Sequence, residues 1–172
     1  MQGMSAPDGV VLVGHGGVPR DCPRELVRRL KALEASRRAS GGPATEEEQA
    51  LDERIRRWPR TPATDPYGAG LACVAEALRP LLGGAELVVA FNEFCAPTIA
   101  EAVEGLVEGG RRRIAVVPSM LTPGGVHSEV DIPEALAALR ARHPGVDLCY
   151  AWPFDLERVA RLLADHALGA CG

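Results

Sequence analysis

The sequence predicts an α/β domain: a parallel four-stranded sheet flanked by helices, with a helical insertion after the first strand. Three observations carry that reading. Four short runs, residues 10–14, 86–91, 113–118 and 146–151, are apolar at nearly every position instead of alternating, the pattern of parallel strands covered on both faces. Amphipathic segments separate the runs, so the order reads βαβαβα with right-handed crossovers. The chain, residues 1–172, has the length of one domain with a real core.

The first run, "VVLVG", passes directly into Gly14-His15-Gly16-Gly17. The connection that follows, residues 16–85, is far longer than one crossover requires. It reads as three helices, about residues 23–40, 45–58 and 66–82, punctuated by "SGGPA" and "PRTPATDP". Thr45-Glu46-Glu47-Glu48 has the form of a capping box with acid in the first turn, and Asp65-Pro66 is a second start signal. Residues 36–65, approximately, are the insertion. After the second run, Pro97 suits a first helical position and Gly109-Gly110 closes that helix. The next helix has Pro133 near its start and Pro144-Gly145 beyond its end, and the last covers about residues 155–167.

Composition narrows the function classes. A net charge of −4 argues against a general nucleic-acid binder. Lys31 is the only lysine, so arginine supplies nearly all the positive charge. Cys22, Cys73, Cys95, Cys149 and Cys171 form no Cys-x-x-Cys pair, which speaks against a thiolate zinc site or a dithiol redox site. Scattered thiols of odd number suit a reducing cytoplasm. The start "MQGMSAPDG" lacks the features of a signal peptide, and no apolar run reaches the ~20 residues of a membrane span.

In an open parallel sheet, ligands bind beyond the carboxyl ends of the strands. The segments there are Gly14–Gly17, then Asn92-Glu93-Phe94-Cys95, then Ser119 to Asp131 with His127 inside it, then Trp152-Pro153-Phe154. Parallel topology therefore brings His15, Glu93 and His127 to one edge. Imidazole and carboxylate together suit Fe²⁺, Co²⁺, Ni²⁺ or Zn²⁺, and histidine exchanges protons near neutral pH. The glycines beside His15 let backbone come close to something bulky. Taken singly, each residue has an ordinary structural reading: a hydrogen-bonded turn histidine, a glycine turn around His127, a helix-capping Glu93. His143 and His166 sit at helix ends and read as structural, and Arg111-Arg112-Arg113 as a solvated turn. No Walker loop, Gly-x-Gly-x-x-Gly fingerprint or Gly-x-Ser-x-Gly elbow occurs.

The segments "LVGHGG", "FNEFCAPTIAEAVEGLVEGGRRRIAVVPSMLTPGGVHSEVDIPEAL" and "PFDLERVARLLADH" together resemble the sirohydrochlorin cobaltochelatase/ferrochelatase family of class II tetrapyrrole chelatases. The resemblance covers residues 10–17 and 86–166. It implies a flavodoxin-like or chelatase-like fold, and insertion of a divalent metal into sirohydrochlorin or a related tetrapyrrole. Co²⁺ is the expected metal, with Ni²⁺ or Fe²⁺ as others, and no organic cofactor is expected. His15 and His127 would be catalytic and, with Glu93, would bind the metal. Gly16, Gly17, Gly124 and Gly125 would line the substrate, with Arg20 or Arg24 meeting its carboxylates. A homodimer is expected, with no membrane or nucleic-acid partner. The sequence departs from the family where Gly17 is followed by "VPRDCPRE" instead of a serine and a short polar loop, and in the helical insertion. A metal- or tetrapyrrole-binding protein without turnover, and a helical interaction module, are the competing classes.

Overall fold

The structure, a computed structural model, describes residues 6–170; the first five residues of the N-terminal start and Cys171, read above, lie outside the described residues. Four strands, β1 (Gly9–Gly14), β2 (Glu86–Phe91), β3 (Arg113–Pro118) and β4 (Asp147–Tyr150), form one parallel sheet in the order β2-β1-β3-β4. The chain moves from β1 to β2 on one side and then crosses β1 to reach β3. That reversal puts a crevice at the carboxyl end of β1. The expected α/β class and strand count are those observed.

The helices are α1 (Arg24–Ser40), α2 (Glu46–Arg56), α3 (Pro66–Leu78), α4 (Ile99–Glu108), α5 (Ile132–Arg142) and α6 (Leu156–Gly169). One face of the sheet packs Val11, Val13, Ile114 and Val116 against Val103 and Leu106 of α4 and Leu136 and Leu139 of α5. The other face packs Val10, Leu12 and Leu87 against Leu71 and Ala75 of α3. β1 is buried along its whole length, as its unbroken apolar run requires. β4 differs from the expectation of strands covered on both faces. Leu148 is buried but Asp147 and Cys149 are exposed, because β4 is an edge strand and α6 buries none of its residues.

Residue 36, where the insertion was expected to begin, falls inside α1. The added unit is an α1–α2 hairpin with its own small core of Cys22, Leu30 and Ile55, against which Phe94 packs. Arg29 grips Glu47 through two hydrogen bonds of 2.6 and 2.8 Å, and Arg37 donates to the buried Glu48 at 2.8 Å.

Three helix ends differ from the sequence reading for local reasons. α4 starts at Ile99 because Thr98, not Pro97, is the cap: its hydroxyl accepts from the Glu101 N–H while the Glu101 carboxylate accepts from the Thr98 N–H. α3 stops at Leu78 and tightens into a 3₁₀ turn, Arg79–Leu81, where Pro80 has no N–H to donate. α5 is preceded by a π-turn, His127–Asp131, in which the Ile132 N–H reaches back to the His127 carbonyl; Pro133 cannot supply the next ordinary helical bond.

Candidate metal and substrate site

β1 delivers His15 at its tip, β2 delivers Asn92 and Glu93, and the π-turn after β3 delivers His127. The sheet ladder continues past the strand ends, with Asn92 N–H donating to the Gly14 carbonyl and Glu93 N–H to the His15 carbonyl, both at 2.9 Å. Ligand atoms of His15, Glu93 and His127 all lie within 4.8 Å of one another. The expected convergence of these three residues is what the fold produces.

The two imidazoles meet edge to face, and their Nε2 atoms are 3.1 Å apart. His15 Nδ1 lies 2.8 Å from the Gly16 carbonyl, an acceptor only, so Nδ1 carries the proton and Nε2 the lone pair. His127 Nδ1 lies 2.6 Å from Asp131 Oδ2, and the carboxylate, an acceptor only, favours the same tautomer. Asn92 Nδ2, 2.6 Å from that ring nitrogen and 3.3 Å from Asp131 Oδ2, then donates to the carboxylate. Both lone pairs thus point into the gap. Metal–imidazole bonds of about 2.0–2.1 Å, at angles from a right angle to the tetrahedral value, put two nitrogens about 2.8–3.4 Å apart. The observed separation falls in that window.

Supporting groups hold the constellation. The Tyr67 hydroxyl accepts from the His15 N–H at 2.8 Å. The Tyr150 hydroxyl donates to the carbonyl of buried Ser128 at 2.9 Å, fixing the π-turn from β4. Burial pushes the Tyr150 hydroxyl up to about 12, so it stays a neutral donor. Arg60 donates to the Gly17 carbonyl and to Asp65 Oδ2, at 2.8 and 2.7 Å, and also to the Phe94 carbonyl. Arg56 donates to the Cys95 carbonyl at 3.2 Å. With a longer Arg56 contact to the Asn92 carbonyl at 3.5 Å, α2 and the turn after it clamp the backbone on both sides of Glu93. Glu93 Oε1 accepts from Lys31 of α1 at 3.2 Å. Burial works against the Lys31 charge, but the bonds and charges of Glu34 and Glu93 outweigh it and hold its pKa above the usual lysine value.

Of the four glycines expected to meet substrate, Gly16, Gly17 and Gly124 make close contacts within the chain itself. Gly16 has φ +92°, and a Cβ there would stand 1.9 Å from the Glu93 carbonyl oxygen. Glycine is needed because this chain's own backbone comes so close. The Gly17 N–H donates to Cys95 Sγ at 3.4 Å, and the Gly124 N–H to Glu129 Oε1 at 3.1 Å. Gly125 is exposed. Arg20 and Arg24 line an open cleft of about 820 Å³ with Arg28 and Lys31 around Val18 and Val27. His143, at the end of α5, and His166, on α6, take no part in the cluster.

Sequence reading missed Asn92, Asp131, Tyr67 and Lys31 as site residues. Asp131 follows His127 by four positions, one helical turn, a signal hidden by reading that stretch as loop. The other three act across 35 to 62 residues of sequence, with no local mark.

Residues 65–168 match the CbiX family model. The chain is 37% identical over 79 residues to a sirohydrochlorin ferrochelatase of Priestia megaterium, covering 45% of this chain and 29% of that protein. It is 38% identical over 82 residues to a sirohydrochlorin cobaltochelatase of Methanosarcina barkeri, covering 44% of this chain and 60% of that protein. The matched segments thus span less than two thirds of either relative. Among solved structures, a CbiX protein from Marinobacter aquaeolei VT8 superposes with a TM-score of 0.54 at 17% identity, covering 95% of this chain and 99% of that one. The sirohydrochlorin chelatase SirB from Bacillus subtilis subspecies spizizenii, in complex with cobalt, gives 0.51 at 22% identity, covering 84% of this chain and 42% of that one. These two likenesses show the fold. Glu93, His127 and Asp131 lie inside the family match, and His15 lies ahead of it.

Proposed function

The chain belongs to the CbiX family, and from that premise we propose that it is a metal chelatase inserting a divalent ion into sirohydrochlorin or a related tetrapyrrole. One observation carries the reading: two Nε2 lone pairs 3.1 Å apart, each fixed by a partner on Nδ1, with a carboxylate beside them. The relatives are named for iron as well as cobalt. Two imidazoles and one carboxylate suit Co²⁺, Ni²⁺ and Fe²⁺, and Co²⁺ is the metal to test first.

His15, His127 and Glu93 would take the ion in place of part of its water shell and leave its other positions open toward the macrocycle. Insertion forms metal–nitrogen bonds to the ring and releases two pyrrole protons. As the metal leaves, the same step frees the two Nε2 lone pairs and the Glu93 oxygens. One proton is then shared between the imidazoles and the second goes to Glu93 or water. Asp131 and the Gly16 carbonyl keep both rings aimed throughout. Arg20, Arg24 and Arg28 supply cations for the carboxylates of the substrate. Gly16, Gly17, Gly124 and Gly125 place no side chains at the edge where the ring would enter.

A homodimer is part of this reading, supported by the uncovered leucines of α6. A cytoplasmic setting is supported by the free thiols of Cys22, Cys73, Cys95 and Cys149. No helix among the described residues is long and apolar enough to cross a membrane.

The test is a visible-absorption assay with the full chain, Co²⁺ and sirohydrochlorin. The expected result is many turnovers per protein, faster than the spontaneous reaction. A spectral change limited to one equivalent would instead mark a metal- or tetrapyrrole-binding protein, and no change would reject both.

A further inference from the structure

Lys31 occupies an unusual place for the sole lysine of the chain. Its Nζ lies 3.2 Å from Glu93 Oε1 and 3.0 Å from Glu34 Oε2, and 4.6 Å from the centroid of the Phe94 ring. Glu93 is mostly shielded, with 22% of its side chain exposed. The same carboxylate thus faces the metal-ligating imidazoles on one side and a fixed ammonium on the other.

We propose that Lys31 is a positioning residue: it competes with the ion for Glu93 and so weakens the carboxylate's grip, and the metal is passed to the substrate instead of being retained. The inference rests on the chelatase reading above. A site for a resident ion gains from an uncompensated carboxylate. A site that must surrender its ion gains from a cation competing for that carboxylate. Glu34 makes the competition reversible: when Glu93 turns to the metal, Lys31 keeps Glu34, and when the metal leaves, Lys31 recovers Glu93. No charge is stranded in either state. The backbone around Glu93 does not depend on this contact, because Arg56 and Arg60 hold the Asn92, Phe94 and Cys95 carbonyls from α2 and the turn after it. Removing the ammonium therefore leaves the loop in place.

The experiment titrates the full chain with Co²⁺ alone against a chromogenic chelator. Lys31→Met, which keeps the stem and removes the charge, is expected to tighten Co²⁺ binding roughly three- to tenfold, a partly screened single-charge effect. Lys31→Arg should stay close to wild type, and the gain from Lys31→Met should vanish in a Glu93→Gln background. In the insertion assay Lys31→Met should lower kcat and the KM for Co²⁺ together. Unchanged or weaker Co²⁺ binding by Lys31→Met overturns the proposal, as does an equal gain in the Glu93→Gln background. If the wild-type chain binds no Co²⁺, the metal site itself falls and the proposal with it. Wild-type binding with no response to Lys31→Met removes the role of Lys31 alone.

Discussion

The Nε2 atoms of His15 and His127 face each other across 3.1 Å, with each Nδ1 committed to an acceptor of the protein. Two lone pairs aimed at one point repel unless a proton or a cation lies between them. His15→Ala and His127→Ala should each lower Co²⁺ affinity and insertion rate by at least the roughly 100-fold that loss of a supporting group can reach. Neither ring is part of the hydrophobic core, so thermal unfolding should stay near wild type. Near-wild-type Co²⁺ binding in both variants would remove the ion from this gap.

Asp131 acts through His127, four positions earlier, by accepting its Nδ1 proton at 2.6 Å. Asp131→Ala frees the ring to rotate and to exchange tautomers, so Nε2 is no longer reliably a lone pair toward the metal. The expected cost is roughly 10–100-fold in Co²⁺ affinity. Asp131→Asn should lie between, since its amide oxygen still accepts. Equal affinity in all three proteins would show that the π-turn alone orients the ring.

Gly16 carries the closest backbone approach at the site. A Cβ at that position would sit 1.9 Å from the Glu93 carbonyl oxygen, and φ is +92°. Gly16→Ala must push the β1 and β2 tips apart or refold the turn, at a cost of about 1–3 kcal/mol. Because the displaced segment carries Glu93, urea unfolding and Co²⁺ binding should both suffer. A variant with wild-type stability and affinity would show that this turn is freer than its geometry indicates.

The sheet was legible because four apolar runs and their spacers leave few arrangements for parallel strands. The convergence of His15, Glu93 and His127 followed from topology, since loops after parallel strands share an edge. What sequence could not supply were contacts made across the fold. Lys31 meets Glu93 only because the α1–α2 hairpin folds back over the β2 tip. The cap of α4 was misplaced because Pro97 gave a start signal one residue ahead of Thr98, the residue that closes the box with Glu101. "PGG" before His127 masked the helical spacing to Asp131. The last helix was expected over about residues 155–167, yet nothing in the sequence says what its apolar side touches.

Among the described residues that side is largely uncovered: only Val159 is partly shielded, beside Trp152 and Phe154. Leu162 and Leu163 are each 59% exposed, and Leu156 on the same side is 63% exposed. If a second copy covers α6, wild-type protein should sediment as a dimer, and a Leu162→Glu, Leu163→Glu double variant as a monomer. The side chains replaced are mostly exposed in the protomer, so its far-ultraviolet dichroism should not change. A wild-type monomer at all concentrations would reject the homodimer, and an unaltered dimer in the variant would move the interface elsewhere.

Glu101 links acid stability to the start of α4. Its carboxylate accepts the Thr98 N–H at 2.7 Å, and this bond, aided by the Thr98 hydroxyl and by Arg57 of the hairpin at 2.5 Å, outweighs burial and holds its pKa below the usual glutamate range. The folded chain therefore binds the Glu101 proton less readily than the unfolded chain. The resulting stabilisation is complete above the unfolded glutamate's titration and fades as pH falls through the lowered folded value. Glu101→Gln keeps an acceptor for Thr98 but loses the charge, and should cost about 0.5–1 kcal/mol at pH 7, the usual size of a cap interaction. At an acid pH below the lowered folded value, wild type and variant should approach equal stability, because the wild-type carboxylate is neutral there. Urea unfolding at the two pH values measures both differences. A gap that stays constant or widens in acid would show that the amide disturbs the cap sterically and that charge is not what Glu101 contributes.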